Sequence, residues 1–259
     1  MILDCESYES ALDSVCSAFS LSHAELVEFL SPIDLEREYK TKEIHEPSED
    51  YLRGLFHSRF GMPTQEWKSA CWFHLTRVPP DTDFAEGILP LHDVLPRIWE
   101  TLISLSQNEN TRSNLIRLRD EGVPEYQYRL KTGSRLHSGP CAMLVREAAF
   151  QVDAIGNHDY LRVPEIIEDI CKGYRERYGE WIMQEICDGL VPCIVKFETP
   201  IGSRTELLRP TLMYCWAKAR NEEMSLNSNT CFDGQSVGIP HSAIRGIEWP
   251  VREISISNH

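Results

Sequence analysis

Two segments far apart in the chain hold the side chains best placed to do chemistry. The first is Ala70-Cys71-Trp72-Phe73-His74-Leu75-Thr76-Arg77-Val78, an apolar and aromatic run interrupted by an imidazole, a hydroxyl and a guanidinium. A histidine in such a run reads either as a core residue with its hydrogen bonds satisfied or as a binding residue. The second is Phe232-Asp233-Gly234-Gln235-Ser236-Val237-Gly238-Ile239-Pro240, continued by His241-Ser242-Ala243-Ile244-Arg245-Gly246-Ile247. Between residues 111 and 146, Arg112, Arg117, Arg119, Arg129, Lys131, Arg135 and Arg146 face only Asp120, Glu121 and Glu125, a local formal charge of +4. Such a segment serves as a solvated helix face or as a groove for a phosphate-bearing ligand. Walker, GxGxxG, GxSxG, HExxH and kinase motifs are absent. Nine cysteines, an odd number spread from Cys5 to Cys231 with none in CxxC spacing, predict reduced thiols in the core and no zinc site or disulfide framework.

The elements that must position these segments follow from periodicity. Tyr8, Leu12, Val15 and Phe19, then Ser22 with Leu26, Phe29 and Leu30, predict two short helices over 5–31, and Ser48 with Leu52, Leu55 and Phe56 a third, ended by Gly61. Residues 70–78 read as a buried strand closed by Pro79-Pro80. Short helices are expected at 83–89 and 94–106, and loops with one short helix and a strand at 126–130 across 107–140. Residues 141–155 and 163–187 carry helical periodicity. Residues 191–198 read as a strand, 211–217 as a strand or short helix, 220–230 as a polar loop, and 236–239 and 244–251 as a last strand pair. The class is α+β.

The 259 residues are 42% hydrophobic and 25% charged, the composition of an ordinary globular protein. No apolar run approaches the ~18–20 residues of a membrane span, and the first residues lack a basic and an apolar signal region, so a cytoplasmic protein is expected. Residues 1–50 hold 13 Asp/Glu against 3 Lys/Arg, a formal −10 of the chain's −14. An acidic helical N-terminal segment, 1–66, is therefore expected ahead of a domain at 67–259, as a docking site for a partner or a nucleic-acid mimic.

In order along the chain, His74-Leu75-Thr76-Arg77, then Phe84-Ala85-Glu86-Gly87-Ile88-Leu89-Pro90, then Ile239-Pro240-His241-Ser242-Ala243-Ile244 resemble the ADP-ribosyltransferase superfamily, over roughly residues 68–250. That superfamily is the NAD-using fold of poly(ADP-ribose) polymerases, diphtheria-type toxins and the toxins of bacterial toxin–antitoxin systems. The resemblance implies a split β-core with helices and NAD as substrate. His74 matches the residue that binds a ribose hydroxyl of NAD, and Leu75 stands where the family has a glycine whose backbone holds the nicotinamide amide. Thr76 would hydrogen-bond near the nicotinamide and Arg77 would face the diphosphate. The group framing the nicotinamide falls to Tyr126, Tyr128 or Ser138.

The family's late catalytic Glu accepts a hydrogen bond from a ribose hydroxyl and favours the positive sugar that forms as nicotinamide leaves. Gln235 aligns with it. An amide keeps the shape and loses the charge, so binding without efficient turnover is expected. An introduced Glu→Gln change, a natural loss of activity, or a carboxylate elsewhere (Asp233, Glu223 or Glu248) would each account for it. The polar loop with Arg220, Asn221, Asn227 and Asn229 occupies the family's acceptor-contacting position. The resemblance implies a cytoplasmic mono-ADP-ribosyltransferase toxin of a toxin–antitoxin or antiviral defence system. Its acceptor would be RNA or DNA ahead of protein, it would have a neutralising antitoxin protein, and no metal or membrane is expected. An NAD glycohydrolase, an RNA 2′-phosphotransferase and a non-catalytic interaction module are the alternatives.

Overall fold

The computed structural model describes residues 1–133, 138–202 and 205–251. Its elements run β1 (Ile2–Leu3), α1 (Tyr8–Phe19), α2 (His23–Leu30), α3 (Leu35–Thr41), α4 (Ser48–Phe60), β2 (Ser69–Val78), α5 (Leu91–Leu105), α6 (Glu109–Glu121) and α7 (Tyr126–Gly133). There follow β3 (Cys141–Met143), α8 (Val152–Ile155), α9 (Glu165–Tyr178), α10 (Met183–Asp188), β4 (Val191–Pro200), α11 (Leu208–Ala219), β5 (Cys231–Asp233) and β6 (Ile244–Glu248). The class is mixed α and β. Among the described residues six strands form one sheet in the order β5-β3-β2-β4-β6, with β1 beside β2. β1 pairs parallel to β2, whereas β2–β3 and β4–β6 are antiparallel. No described helix is long and apolar enough to cross a membrane.

The chain divides into two compact units. The first takes 1–73, 143–157 and 198–232, and the described residues of the second lie within 74–142, 158–197 and 233–251. The boundary anticipated at 66/67 lies within the first unit.

In the first unit α11 is the axis, with α1, α2 and α4 packed on it. Pro210 through Ala217 are all buried, and a helix apolar on every side has no stripe for periodicity to detect. The strand-or-helix question at 211–217 is thus settled by helix neighbours on several sides. Ser7 and Ser22 close capping boxes on α1 and α2, each contributing about 1 kcal/mol. Phe56 of α4 meets Phe19 edge-on at 4.7 Å, an arrangement adding about 1 kcal/mol to the apolar burial.

The second unit's core gathers Trp99 and Leu102 of α5, Leu115 of α6, Ile170 and Tyr174 of α9 and Ile186 of α10. Gly173 lets Val123 into it, because a Cβ there would stand 2.3 Å from Val123 Cγ1.

Four expectations are corrected. Residues 83–89 form no helix: Phe84 and Gly87 both take positive φ, 53° and 82°, which stops one. Residues 126–130 are helical, not a strand, because the alternating Tyr126, Tyr128 and Leu130 do not line one buried face; Tyr128 and Lys131 seat the helix while Tyr126 and Leu130 face solvent. Residues 141–155 begin as β3 and continue as a 3-10 turn and α8, since Ala142 through Val145 are buried consecutively and such a run fits a strand as well as a helix. Residues 236–239 are no strand but the exit of a tight turn.

Candidate functional site

β2 sorts its polar residues by alternation. His74 and Thr76 lie half-buried on one face, and Leu75 and Arg77 are buried on the other. The His74 Nδ1 lies 2.8 Å from the Cys141 carbonyl oxygen. A carbonyl only accepts, so Nδ1 carries the proton and Nε2 presents a lone pair. Packing around the ring pushes its pKa below the usual histidine value, and the Cys141 carbonyl opposes that only in part. The ring is therefore neutral at pH 7, an acceptor for a hydroxyl rather than a cation.

Arg77 is 5% exposed and donates through Nη1 to the Leu161 carbonyl, 2.9 Å, and through Nη2 to the Cys187 carbonyl, 2.8 Å, and the Leu190 carbonyl. It caps the C-terminal end of α10, where a cation is favoured. Its charge serves the core and not a solvent-facing anion. Among the described residues Thr76 Oγ1 makes a 3.5 Å contact to the Arg77 carbonyl, and it shares the His74 face.

The second segment reaches the first through backbone. Gln235 and Ser236 take φ of 50° and 66° in a turn closed by Val237 N–H on the Gly234 carbonyl, 2.9 Å. Two consecutive non-glycine residues in the left-handed region cost about 1–2 kcal/mol each. Several bonds offset this. Gln235 N–H donates to Asp233 Oδ1 at 2.8 Å, Gly234 N–H to the Pro140 carbonyl and Ser236 N–H to the Gly139 carbonyl, both 2.9 Å. Four consecutive carbonyls thereby form a hub: Ser138 accepts Leu91 N–H at 2.8 Å, Gly139 accepts Ser236, Pro140 accepts Gly234, and Cys141 accepts His74. The 84–90 loop joins the same assembly, since Ile88 and Ile239 exchange two 2.9 Å bonds and His241 meets the Phe84 carbonyl at 3.0 Å through Nδ1. The three segments singled out in the sequence thus converge, with Gln235 exposed at the tip of its turn.

The remaining candidates sit elsewhere. Tyr128 accepts a hydrogen bond from Trp99 Nε1 at 3.1 Å against the core, and Tyr126 is 60% exposed on α7; no described contact joins either to His74 or to the turn. Arg220, Asn221, Asn227 and Asn229 belong to the first unit. There Arg220 binds Glu222 and the Ser31 carbonyl, Asn227 binds Glu49 at 2.7 Å, Asn229 accepts Val145 N–H at 3.0 Å, and Asn221 takes the left-handed position after α11. Of the carboxylate alternatives to Gln235, Glu223 is also in the first unit, Glu248 ends β6, and Asp233 caps the turn.

The basic segment is largely neutralised. Arg112 pairs with Glu109, Arg117 with Glu121, Arg119 with Asp120, and Lys131 with Asp169. Arg146 stacks over Phe150 in the first unit, and Arg135 lies outside the described residues. Arg129 is exposed with no carboxylate partner among the described residues. Seven cysteines are buried, and burial pushes the thiols of Cys5 and Cys193 up to about 12 and that of Cys16 to about 11, which makes them inert. No described cluster of His, Cys, Asp and Glu could hold a metal ion.

No family model, curated protein or solved structure matches the chain.

Sequence reasoning found His74 and the 234–240 segment but missed the carbonyl hub. Its one signal was the Ser138-Gly139-Pro140 turn. The depressed His74 pKa has a measurable consequence. Below the unfolded value of 6.5 the unfolded chain protonates first, so the neutral ring's contribution to stability is present above pH 6.5 and is lost as pH falls toward the folded pKa. Unfolding free energy measured from pH 7.5 to 5 is expected to fall less steeply in His74→Gln than in the parent; parallel curves would show that the ring is not held neutral.

Proposed function

We propose that the second unit is an ADP-ribosyltransferase-like catalytic unit and that the protein is a mono-ADP-ribosyltransferase toxin acting in the cytoplasm. It would transfer ADP-ribose from NAD to a macromolecule, nucleic acid ahead of protein. The observation that carries this reading is the hub, where His74 and the turn bearing Gln235 are held by the neighbouring carbonyls of Cys141, Pro140 and Gly139. Fold likeness alone fixes no function, but a strained, over-determined turn beside a neutral histidine acceptor is what a preorganised binding site requires.

His74 Nε2 accepts a hydrogen bond from a ribose hydroxyl, and Thr76, on the same face, supplies a second polar group. The Leu75 backbone can serve where a glycine is usual, because a backbone contact does not depend on the side chain. Arg77 is committed to carbonyls, so it supports the strand from behind and the diphosphate needs another partner. NAD supplies the activated bond: the ribose C1′ to nicotinamide nitrogen bond breaks, C1′ bonds to an acceptor oxygen or nitrogen, and the acceptor's proton passes to solvent. Gln235 orients a hydroxyl but adds no negative charge to favour the positive sugar. A toxin of this kind requires a neutralising protein, and the acidic helices α1–α4 are the surface proposed for it.

The test pairs the chain as it stands with Gln235→Glu, measuring NAD consumption and labelled ADP-ribose in RNA, DNA and protein. The carboxylate variant is expected to be about 10²-fold faster, the scale of a single electrostatic group in a preorganised site, and the labelled fraction identifies the acceptor. Loss of NAD with nothing labelled would make the reaction hydrolysis. Absence of both binding and consumption in both proteins would leave an interaction module.

A further inference from the structure

The helix α7 has two faces with different fates. Tyr128 and Lys131 turn inward. The Tyr128 hydroxyl accepts from Trp99 Nε1 at 3.1 Å, and Lys131 Nζ lies 2.7 Å from Asp169 Oδ2 and 3.3 Å from Glu165 Oε2 on α9. These bonds fix the helix although none of its residues is fully buried. Tyr126, Arg129 and Leu130 stand at the i, i+3 and i+4 positions of the opposite face. Tyr126 is 60% and Leu130 52% exposed, and Arg129 is also exposed. Tyr126 makes no ring contact or hydrogen bond among the described residues, and Arg129 lacks the carboxylate partner that Arg112, Arg117, Arg119 and Lys131 each have.

We infer that the outer face of α7 is a binding platform for single-stranded RNA, with a base stacked on Tyr126 and a phosphate on Arg129. This rests on the nucleic-acid acceptor proposed above and narrows it, replacing the basic segment as a whole by one aromatic and one unneutralised cation. An aromatic face beside a guanidinium is the recurring unit of single-strand binding, because every base offers a π-face and every linkage a charge. The helix is rigid on its inner side, so little ordering is needed on binding. A protein partner fits less well: a stable interface removes about 800 Å² from each side, and this face offers two apolar side chains along a helix of about 12 Å. The chain's net charge of −14 opposes a polyanion, but −10 of it lies in residues 1–50, which leaves −4 for the other 209 residues.

The probe is a short fluorescein-labelled oligouridylate, followed by anisotropy across a salt series with the full chain. NAD binding is measured separately by calorimetry on every variant. Tyr126→Ala is expected to weaken oligouridylate about tenfold, Tyr126→Phe to bind like the parent, and Arg129→Gln to flatten the slope of log affinity against log salt by about 0.7, with Arg129→Lys restoring it. All four changes are at exposed positions, so circular dichroism should not move. Oligouridylate binding that is absent in the parent, or unchanged in Tyr126→Ala and Arg129→Gln, overturns the platform even where NAD is consumed. Binding that depends on both residues upholds the platform even in a protein that never binds NAD, in which case the transferase reading alone fails. If an acidic amphipathic helical peptide binds instead, and the same two variants weaken it, the occupant is a protein and the inference is wrong.

Discussion

Arg77→Ala is expected to lower the unfolding free energy by about 3–5 kcal/mol, the range seen when one partner of a buried charged contact is removed. The reason is what remains behind. The carbonyls of Leu161 and Leu190 would lose the Arg77 donor, while Cys187 keeps the Leu190 N–H at 3.2 Å, and an unsatisfied buried acceptor costs about 1–3 kcal/mol. Arg77→Lys should recover only part of the loss, because an ammonium lacks the planar fork that reaches carbonyls on two sides. The midpoint of urea unfolding, followed by circular dichroism, is the measurement. An unchanged midpoint together with weakened NAD binding would return Arg77 to the ligand-facing role that the sequence suggested.

A comparable loss is expected for Gly87→Ala, for a different cause. A Cβ at Gly87 would lie 2.0 Å from the Ile239 carbonyl oxygen and 2.9 Å from His241 N, at φ +82°. The neighbours are backbone, so no side chain can swing aside, and the two Ile88–Ile239 bonds must break. Gly156→Ala separates strain from crowding: φ is +67° there and nothing lies within 4 Å. That control should cost about 1 kcal/mol, and Gly87→Ala about 3 kcal/mol or more. Hydrogen exchange at the Ile88 and Ile239 amides should accelerate only in Gly87→Ala. Equal losses in the two variants would mean that the 84–90 loop yields without disturbing the turn.

The elements that were legible in the sequence are those whose signal is local. Ser22 caps α2 and Gly61 follows α4 as read, and the apolar runs at β2 and β4 are strands. The illegible ones depend on distant neighbours. Tyr126 and Tyr128 alternate like strand residues, and only Trp99 and Asp169, far away in sequence, decide for a helix. The left-handed turn at Gln235 and Ser236 carried a signal in the Asp233-Gly234 step, but the strand-like spacing of Val237 and Ile239 obscured it. His74 was singled out by its surroundings in the chain. What holds it and the turn together, a run of successive carbonyl oxygens, has no side-chain signature, because every residue carries the same group. Arg77 illustrates the opposite case: its type suggested an anion, and its described hydrogen-bond partners are peptide carbonyls.

The placement of α11 also bears on how the chain is made. The helices α1, α2 and α4 bury their apolar faces against a segment that emerges from the ribosome about 150 residues later, a delay of roughly 10–30 s at ordinary translation rates. For that interval α1, α2 and α4 have no α11 to pack on. The earliest helices synthesised therefore wait longest for their partner, and a nascent chain stalled before residue 208 would present sticky, acidic helices to whatever chaperone or binding protein is nearby.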